Sequence, residues 1–293
     1  MDTVGIVGLG VMGSNCAKKL MESGVPVAGY DPYPPAVKRA SEAGVCGSPA
    51  ELAGKAGVIL MFVPGPADTE KVVLGEGGIA SGAPEGTVVV NMSTVDPGVN
   101  IRMGEALAPK GIDFVDAPVM GSPSGVGSWA FALGGSDEAL AKIKDVLLVL
   151  SGSEEKLFHI GPLGHGNKLK LLNNMMLGAI DACAAETMAL AEHMGLSQKT
   201  LIDVAVAANA RVLSSAYKEI GTRIAEGRYD EPTFTVDMLI KDNRLCLDMA
   251  REYGAPLILG AAVDYVHRMV SVQGYGAKDH AVSWKAVAKN WKA

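Results

Sequence analysis

Lysine and arginine form no cluster along this chain, and 26 basic side chains are outnumbered by 32 acidic ones, leaving a net charge of −6. Nucleic acids and anionic membrane surfaces are held by concentrated positive charge, so neither is an expected partner. Cysteine is scarce: Cys16, Cys46, Cys183 and Cys246 are scattered and make no C-x-x-C pair, which argues against a zinc site and a disulfide framework. No metal is expected, and reduced thiols fit a cytoplasmic protein. A membrane-length apolar run is missing too. The most apolar long stretch, Met175 to Ala191, contains Asp181 and Glu186, whereas a span wants ~20 predominantly apolar residues. That stretch is expected to be a buried helix. The opening residues MDTVGIVG run straight into a strand-like segment with no basic and apolar leader pattern, so export is not expected. Internal repeats and low-complexity segments are also lacking.

What is present is 293 residues, 48% of them hydrophobic, enough for two domains that each bury a core. Up to about residue 160, short runs rich in valine and isoleucine alternate with helical patterns: TVGIVG, VPVAGYD, GVILMFV, TVVVNM, IDFVDA, WAFALGG and LFHIG. Strands separated by helices imply a parallel α/β sheet. GVILMFV and TVVVNM are almost continuously apolar, as central strands covered on both faces should be. After Gly164 the pattern becomes helical, over 167–194, 197–208, 212–225, 234–253 and 256–272. The change falls in GPLGHG, residues 161–166, where glycine and proline interrupt both periodicities. An unbroken helix over 167–194 would span about 42 Å and is expected to link the domains.

Gly8-Leu9-Gly10-Val11-Met12-Gly13 follows the first strand and opens a helix, the context that gives a G-x-G-x-x-G string its meaning. Gly8 permits a tight turn, Gly10 lets backbone approach a pyrophosphate, and Gly13 allows close helix packing. Val11 and Met12 start the helix whose N-terminus favours phosphate charge. Asp31, at the end of VPVAGYD, is placed to accept from the ribose hydroxyls and to repel a 2′-phosphate. NAD is therefore the expected cofactor, while Lys38 and Arg39, one helix turn beyond, leave NADP open. Val63-Pro64 after the third of these runs and Thr94 after the fourth should line the same carboxyl edge of the sheet. The expected fold is an α/β Rossmann-type N-terminal domain, residues 1–163, with a second, all-helical C-terminal domain, residues 164–293, joined by a long interdomain helix.

In GPLGHGNKLKLLNN, Lys170 and Asn174 are four residues apart and share a helix face. A lysine among leucines and methionines loses hydration, which lowers its pKa toward proton-transfer values; a snorkelling surface lysine is the ordinary alternative. Asn173 and Asn174 are poor helix formers, costly when buried unpaired, and point to a hydrogen-bonding task.

Taken together, GIVGLGVMG, DAPVMGSPSGVGSWAFALGG, GPLGHGNKLKLLNN and IKDNRLCLDMA resemble the β-hydroxyacid dehydrogenase family, which includes 3-hydroxyisobutyrate dehydrogenases and tartronate semialdehyde reductases. The resemblance implies metal-free hydride transfer between a nicotinamide cofactor and a small 3-hydroxy acid or its semialdehyde. It makes Lys170 the catalytic acid and base, Asn174 a substrate-orienting residue, and Lys241, paired with Asp242, a cofactor contact that closes the cleft. Thr94 is placed near the nicotinamide ribose, and Phe234 against the cleft. It also implies substrate binding and oligomerisation by the helical domain, as a homodimer or homotetramer.

The chain departs from the family pattern in two places. The substrate loop, usually Asp-Ala-Pro-Val-Ser-Gly-Gly, here reads Asp116-Ala117-Pro118-Val119-Met120-Gly121-Ser122. One hydroxyl donor is lost at Met120, and Ser122 is its expected replacement, with the backbone N–H groups around Gly121. At Asn209-Ala210-Arg211 the usual Ser-Ser-Gly is absent, and Arg211 becomes a second candidate for a small anionic substrate. Both departures suggest a head group other than that of 3-hydroxyisobutyrate, such as a sulfonate or a longer carboxylate chain. A non-catalytic NAD-binding scaffold and a semialdehyde reductase preferring NADPH are the alternatives. The first of these has no need of Lys170.

Overall fold

The computed structural model describes residues 2–40 and 42–290, and the chain divides into two compact units, one ending at Lys170 and one beginning at Leu171. In the first unit, β1 (Val4–Val7), α1 (Val11–Glu22), β2 (Val27–Tyr30), α2 (Pro34–Arg39), β3 (Gly44–Val45), α3 (Pro49–Ala53) and β4 (Val58–Met61) are followed by α4 (Pro66–Leu74), α5 (Ile79–Gly82) and β5 (Val88–Asn91). Then come α6 (Pro97–Leu107), β6 (Asp113–Asp116), β7 (Val119–Met120), β8 (Ala130–Gly134), α7 (Asp137–Ser151) and β9 (Leu157–Gly161).

The strands form one sheet in the order β3-β2-β1-β4-β5-β6-β8-β7, with β9 on β8. The first six run parallel in the order 3-2-1-4-5-6, the doubly wound arrangement of dinucleotide-binding folds. Alternation along the central strands explains their unbroken apolar sequence. Leu60, Val88 and Val90 pack with Leu20 of α1 and Leu147 of α7, while Ile59, Met61 and Val89 pack with Val73 of α4 and Met103 of α6. Each such fully buried side chain contributes about 1.5–3 kcal/mol. Helix starts are written in the sequence: Ser48, Asp96 and Ser136 cap α3, α6 and α7 through their side chains.

The parallel sheet expected from the sequence holds as far as β6. Beyond it β8 runs antiparallel to β6 and to β7, because 117–129 contains no crossover helix to return the chain in the parallel sense. The two-residue strands β3 and β7 were too short to show a period.

The long helix α8 (His165–His193) begins before the division and continues past it. The second unit then holds α9 (Gln198–Ala207), α10 (Ser215–Glu226), α11 (Val236–Glu252), α12 (Ile258–Val270) and α13 (Ser283–Asn290). It is all helical among the described residues apart from an isolated bridge between Thr235 and Asp279. Ser197, Ser214 and Thr235 each accept from a backbone N–H three residues on and so begin α9, α10 and α11. The cap at Ser214 explains why the helix expected from 212 starts at Ser215. A π turn, Ser271–Tyr275, ends α12, with Gly274 at φ 91°. Helix α13 is absent from the sequence expectation, since eight residues barely set a period; it is held by Trp284, Ala286 and Val287 against the core. No described helix is long and apolar enough to cross a membrane.

The second unit also buries ionisable groups. Asp181 of α8 is 1% exposed and accepts from His267 Nε2 at 2.9 Å and His280 Nδ1 at 2.8 Å. Asp279 lies 3.4 Å from the Arg223 guanidinium and accepts from Thr233.

Candidate active site

The carboxyl edge of the parallel strands gathers the first set of sequence candidates. A side chain at Gly8, where φ is +93°, would meet the Phe62 carbonyl at 2.0 Å, and one at Gly13 would meet the Gly8 carbonyl at 1.8 Å. Both positions exclude anything larger. Gly10 faces open space and caps α1 with no side-chain hydrogen bond, so the first-turn N–H groups around Val11 and Met12 have no side-chain cap. Such a backbone arrangement could hold an anion, and its uncapped N–H groups fit the pyrophosphate of a dinucleotide. Asp31, just after β2, accepts from Leu9 N–H at 2.7 Å and Tyr33 N–H at 2.8 Å. One oxygen is thus tied to the glycine loop and the other to its own turn, which fixes the carboxylate at the rim of the sheet.

Val63 N–H donates to the Ser93 hydroxyl at 2.8 Å, and Ser93 donates to the Met61 carbonyl. The Val63-Pro64 loop and the residue before Thr94 are therefore one hydrogen-bonded layer. The sequence places Ser93 in the Asn91-Met92-Ser93-Thr94 strand end at this edge, but a serine there carries no signal of the partner it will bond.

Lys170 lies in the second turn of α8, half buried, and its Nζ donates to the Val119 carbonyl at 2.9 Å. This puts the ammonium beside the loop Met120-Gly121-Ser122. Gly121 and Ser122 are exposed, and the Ser122 hydroxyl is 3.2 Å from that of Ser124. The glycine at 121 has a structural cause: a Cβ there would meet Trp129 Cδ1 at 2.5 Å. Trp129 is fully buried, donates to the Ser122 carbonyl at 2.7 Å, and stacks edgewise on Phe131. It supports the loop from below.

Two further residues stand in the family motifs without a role read from the sequence. Asp116 ends β6 and accepts from Gly164 N–H at 2.7 Å and Asn167 N–H at 2.6 Å. Burial lifts its pKa to about 6, while those two amides pull it back toward the ionised form. Asn167 Oδ1 in turn accepts from Val95 N–H at 2.9 Å.

The remaining candidates belong to the helical unit. Asn174 is buried, accepts from Asn173 through Oδ1 and donates through Nδ2 to Asp242 at 2.6 Å. Its amide is thereby oriented. Lys241 Nζ stands 2.9 Å from the other oxygen of Asp242, so Asn174 and Lys241 share one carboxylate. Phe234 lies edgewise to the His280 ring. Arg211 is exposed in the link between α9 and α10, two residues after Asn209, whose φ is +45°. Among the described residues no group of three or more His, Cys, Asp or Glu side chains is arranged to hold a metal ion.

A doubly wound sheet with a glycine loop at a helix start, and a lysine on the first helix after it, is the arrangement of nicotinamide-dependent oxidoreductases, and comparisons with known proteins place the chain in that class. Residues 3–161 match the family model for the NAD-binding domain of 6-phosphogluconate dehydrogenase, and residues 164–287 match that described as NAD-binding of NADP-dependent 3-hydroxyisobutyrate dehydrogenase. The L-threonate dehydrogenase of Cupriavidus necator is 34% identical over 94% of this chain and 93% of its own length. The 2-(hydroxymethyl)glutarate dehydrogenase of Eubacterium barkeri is 31% identical over 99% and 94%. Among solved structures, the 3-hydroxyisobutyrate dehydrogenase of Salmonella typhimurium is 28% identical and superposes with a TM-score of 0.88, covering 97% of this chain and 99% of that one. The chain belongs to the β-hydroxyacid dehydrogenase family. It uses a nicotinamide cofactor and acts on a small hydroxy acid or its semialdehyde.

Proposed function

We propose that this is a cytoplasmic, NAD-preferring dehydrogenase of a 3-hydroxy acid whose anionic end differs from that of 3-hydroxyisobutyrate, with Lys170 as the proton-transfer group. The observation that carries it is the Lys170–Val119 hydrogen bond, which holds the ammonium at the head of the substrate loop. When bound, the nicotinamide supplies or accepts the hydride. Gly8, Gly10, Gly13 and the N–H groups of Val11 and Met12 hold the pyrophosphate. Asp31 takes the ribose hydroxyls, Val63, Pro64 and Thr94 flank the nicotinamide half, and Lys241 is assigned to the cofactor by the family motif.

During oxidation Lys170, as the neutral amine, takes the proton from the substrate hydroxyl and becomes the ammonium, and during reduction the ammonium returns a proton to the carbonyl oxygen. The Val119 carbonyl keeps its Nζ directed while it does so. The Ser122 hydroxyl and the N–H groups around Gly121 bind the anionic end, Met120 gives an apolar wall, and Arg211 is the alternative anion partner. Asn174, with its carbonyl turned to Asn173, presents an N–H to a substrate oxygen. The relatives that act on L-threonate and on 2-(hydroxymethyl)glutarate support a polyhydroxylated or dicarboxylic substrate as well as a sulfonate. A homodimer or homotetramer is supported by exposed apolar side chains on the helical unit, among them Met176, Leu190, Ile258, Leu259 and Tyr265.

The test is a panel of 3- and 4-hydroxy acids, hydroxysulfonates and their semialdehydes, each with NAD and NADP, followed by absorbance of the reduced nicotinamide. On the best substrate Lys170→Ala is expected to lower kcat by ~10²–10⁴ with NAD binding intact, and wild-type turnover in that variant would refute the role. Ser122→Ala is expected to lower kcat/KM by about tenfold, the cost of one hydrogen bond to a charged group. A silent change there transfers the head group to Arg211.

A further inference from the structure

Lys170 can serve only if its backbone and the acceptor of its ammonium keep a fixed spacing. We propose that Asp116 and Asn167 are positioning residues for proton transfer at Lys170, acting by clamping the first turn of α8 to the end of β6 and to the loop that follows β5; this rests on the role assigned to Lys170 above. Asp116 behaves as an N-cap supplied from 48 and 51 residues away, its two oxygens taking the Gly164 and Asn167 amides, and its negative charge suits the helix N-terminus. The space for it is cut to size. A Cβ at Gly134 would lie 2.3 Å from its Oδ1, and one at Gly166 would lie 2.8 Å from its Oδ2 and 2.4 Å from the Ala132 carbonyl.

Asn167, fully buried, extends the clamp to a third segment by accepting from Val95 N–H, next to Thr94. Lys170 follows Asn167 by three residues, and Val119 follows Asp116 by three. Both ends of the Lys170–Val119 hydrogen bond are therefore registered through the same carboxylate. A displacement of about 1 Å at a reacting group costs on the order of 10²-fold in rate. A neutral or shortened side chain at either position lets α8 shift against the loop that aims its lysine.

The experiment compares wild type, Asp116→Asn, Asn167→Ala, Lys170→Ala and each of the first two combined with Lys170→Ala, on the fastest substrate of the panel. Asp116→Asn and Asn167→Ala are expected to lower kcat by about tenfold or more, with KM and NADH affinity held within about twofold. In the Lys170→Ala background neither should lower the residual rate further, since residues acting as a unit are not additive. Equal losses in both backgrounds, or wild-type kcat in a folded Asp116→Asn protein, overturn the clamp while leaving Lys170 in place. A silent Lys170→Ala refutes the lysine assignment and the clamp together. Should Asp116→Asn fail to fold, Asn167→Ala decides by the same criteria.

Discussion

Asp116 of the sheet unit and Asp181 of the helical unit are both cut off from water, 0% and 1% exposed, yet burial has opposite outcomes for them. Asp116 faces neutral donors, two backbone amides and the Asn167 side chain, and its pKa rises to about 6. Asp181 faces His267 and His280, whose charges and hydrogen bonds outweigh desolvation and hold its carboxyl well below the usual range; the attraction raises His280 in return. Amide dipoles offset only part of the cost of drying a carboxylate, whereas two imidazoles offset more than all of it. A buried aspartate therefore stabilises the helical unit and taxes the sheet unit, and the charge retained at a cost lies beside the candidate active site.

Removing the better-paired carboxylate should do the most damage to folding. Asp181→Asn leaves two buried imidazoles without their counter-ion, and breaking a buried pair costs about 3–5 kcal/mol. Urea unfolding of this variant should show a loss of that order, and a midpoint equal to wild type would erase the contrast. Asp31 sharpens it from another side. It too accepts from two amides, but at the half-exposed rim of the sheet. Asp31→Ser is expected to narrow the NAD over NADP ratio of kcat/KM by roughly tenfold, about 1.4 kcal/mol, and an unchanged ratio would reject the assignment.

The smallest effect is the most specific. Because the folded pKa of Asp116 lies above its unfolded value of 3.8, the folded state binds its proton more tightly. Its contribution to stability is complete below pH 3.8 and is lost as pH rises through about 6. Between pH 7 and pH 5 wild type should gain roughly 1 kcal/mol over Asp116→Asn. Asp181 should be silent there, and the contribution of His280, which grows until pH falls past its unfolded value of 6.5, is common to both proteins and cancels in the comparison. The stability from the depressed carboxyl is kept above its unfolded value of 3.8 and lost only at stronger acid, and that from the raised imidazole is lost only as pH climbs through its folded value, above 6.5. Activity should move against stability, with kcat falling as Asp116 protonates. A pH–rate profile with no acid limb near pH 6 would count against the clamp.

Much of the sheet unit was legible because its information is local. A glycine string between strand and helix, an acidic residue at the next strand end and doubly covered strands are each read within a short window. The same holds for helices begun by Ser197, Ser214 and Thr235. What escaped depends on distant partners. Asp116 stood in plain view in the substrate loop but meets Asn167 from 51 residues away, and a lone aspartate at a strand end gives no hint of a helix to cap. Asp181 counted only as a charge that made a membrane span implausible, since its histidines lie 86 and 99 residues further on. The turn to antiparallel at β8 was hidden for a related reason: a strand's direction is set by what connects it, and the 117–129 connection has no periodicity to read.

Trp129 gives the protein an optical handle. The chain has three tryptophans, Trp129, Trp284 and Trp291, and the indole of Trp129 donates to the Ser122 carbonyl from a fully buried position between Phe62 and Phe131. Any movement of residues 120–125 stretches that hydrogen bond or lets water reach the ring, and indole emission responds to both. With the other two tryptophans replaced by phenylalanine, its fluorescence becomes a clock for the substrate loop. Loop motion can then be timed by stopped flow apart from chemistry, in the same cuvette that follows the reduced nicotinamide.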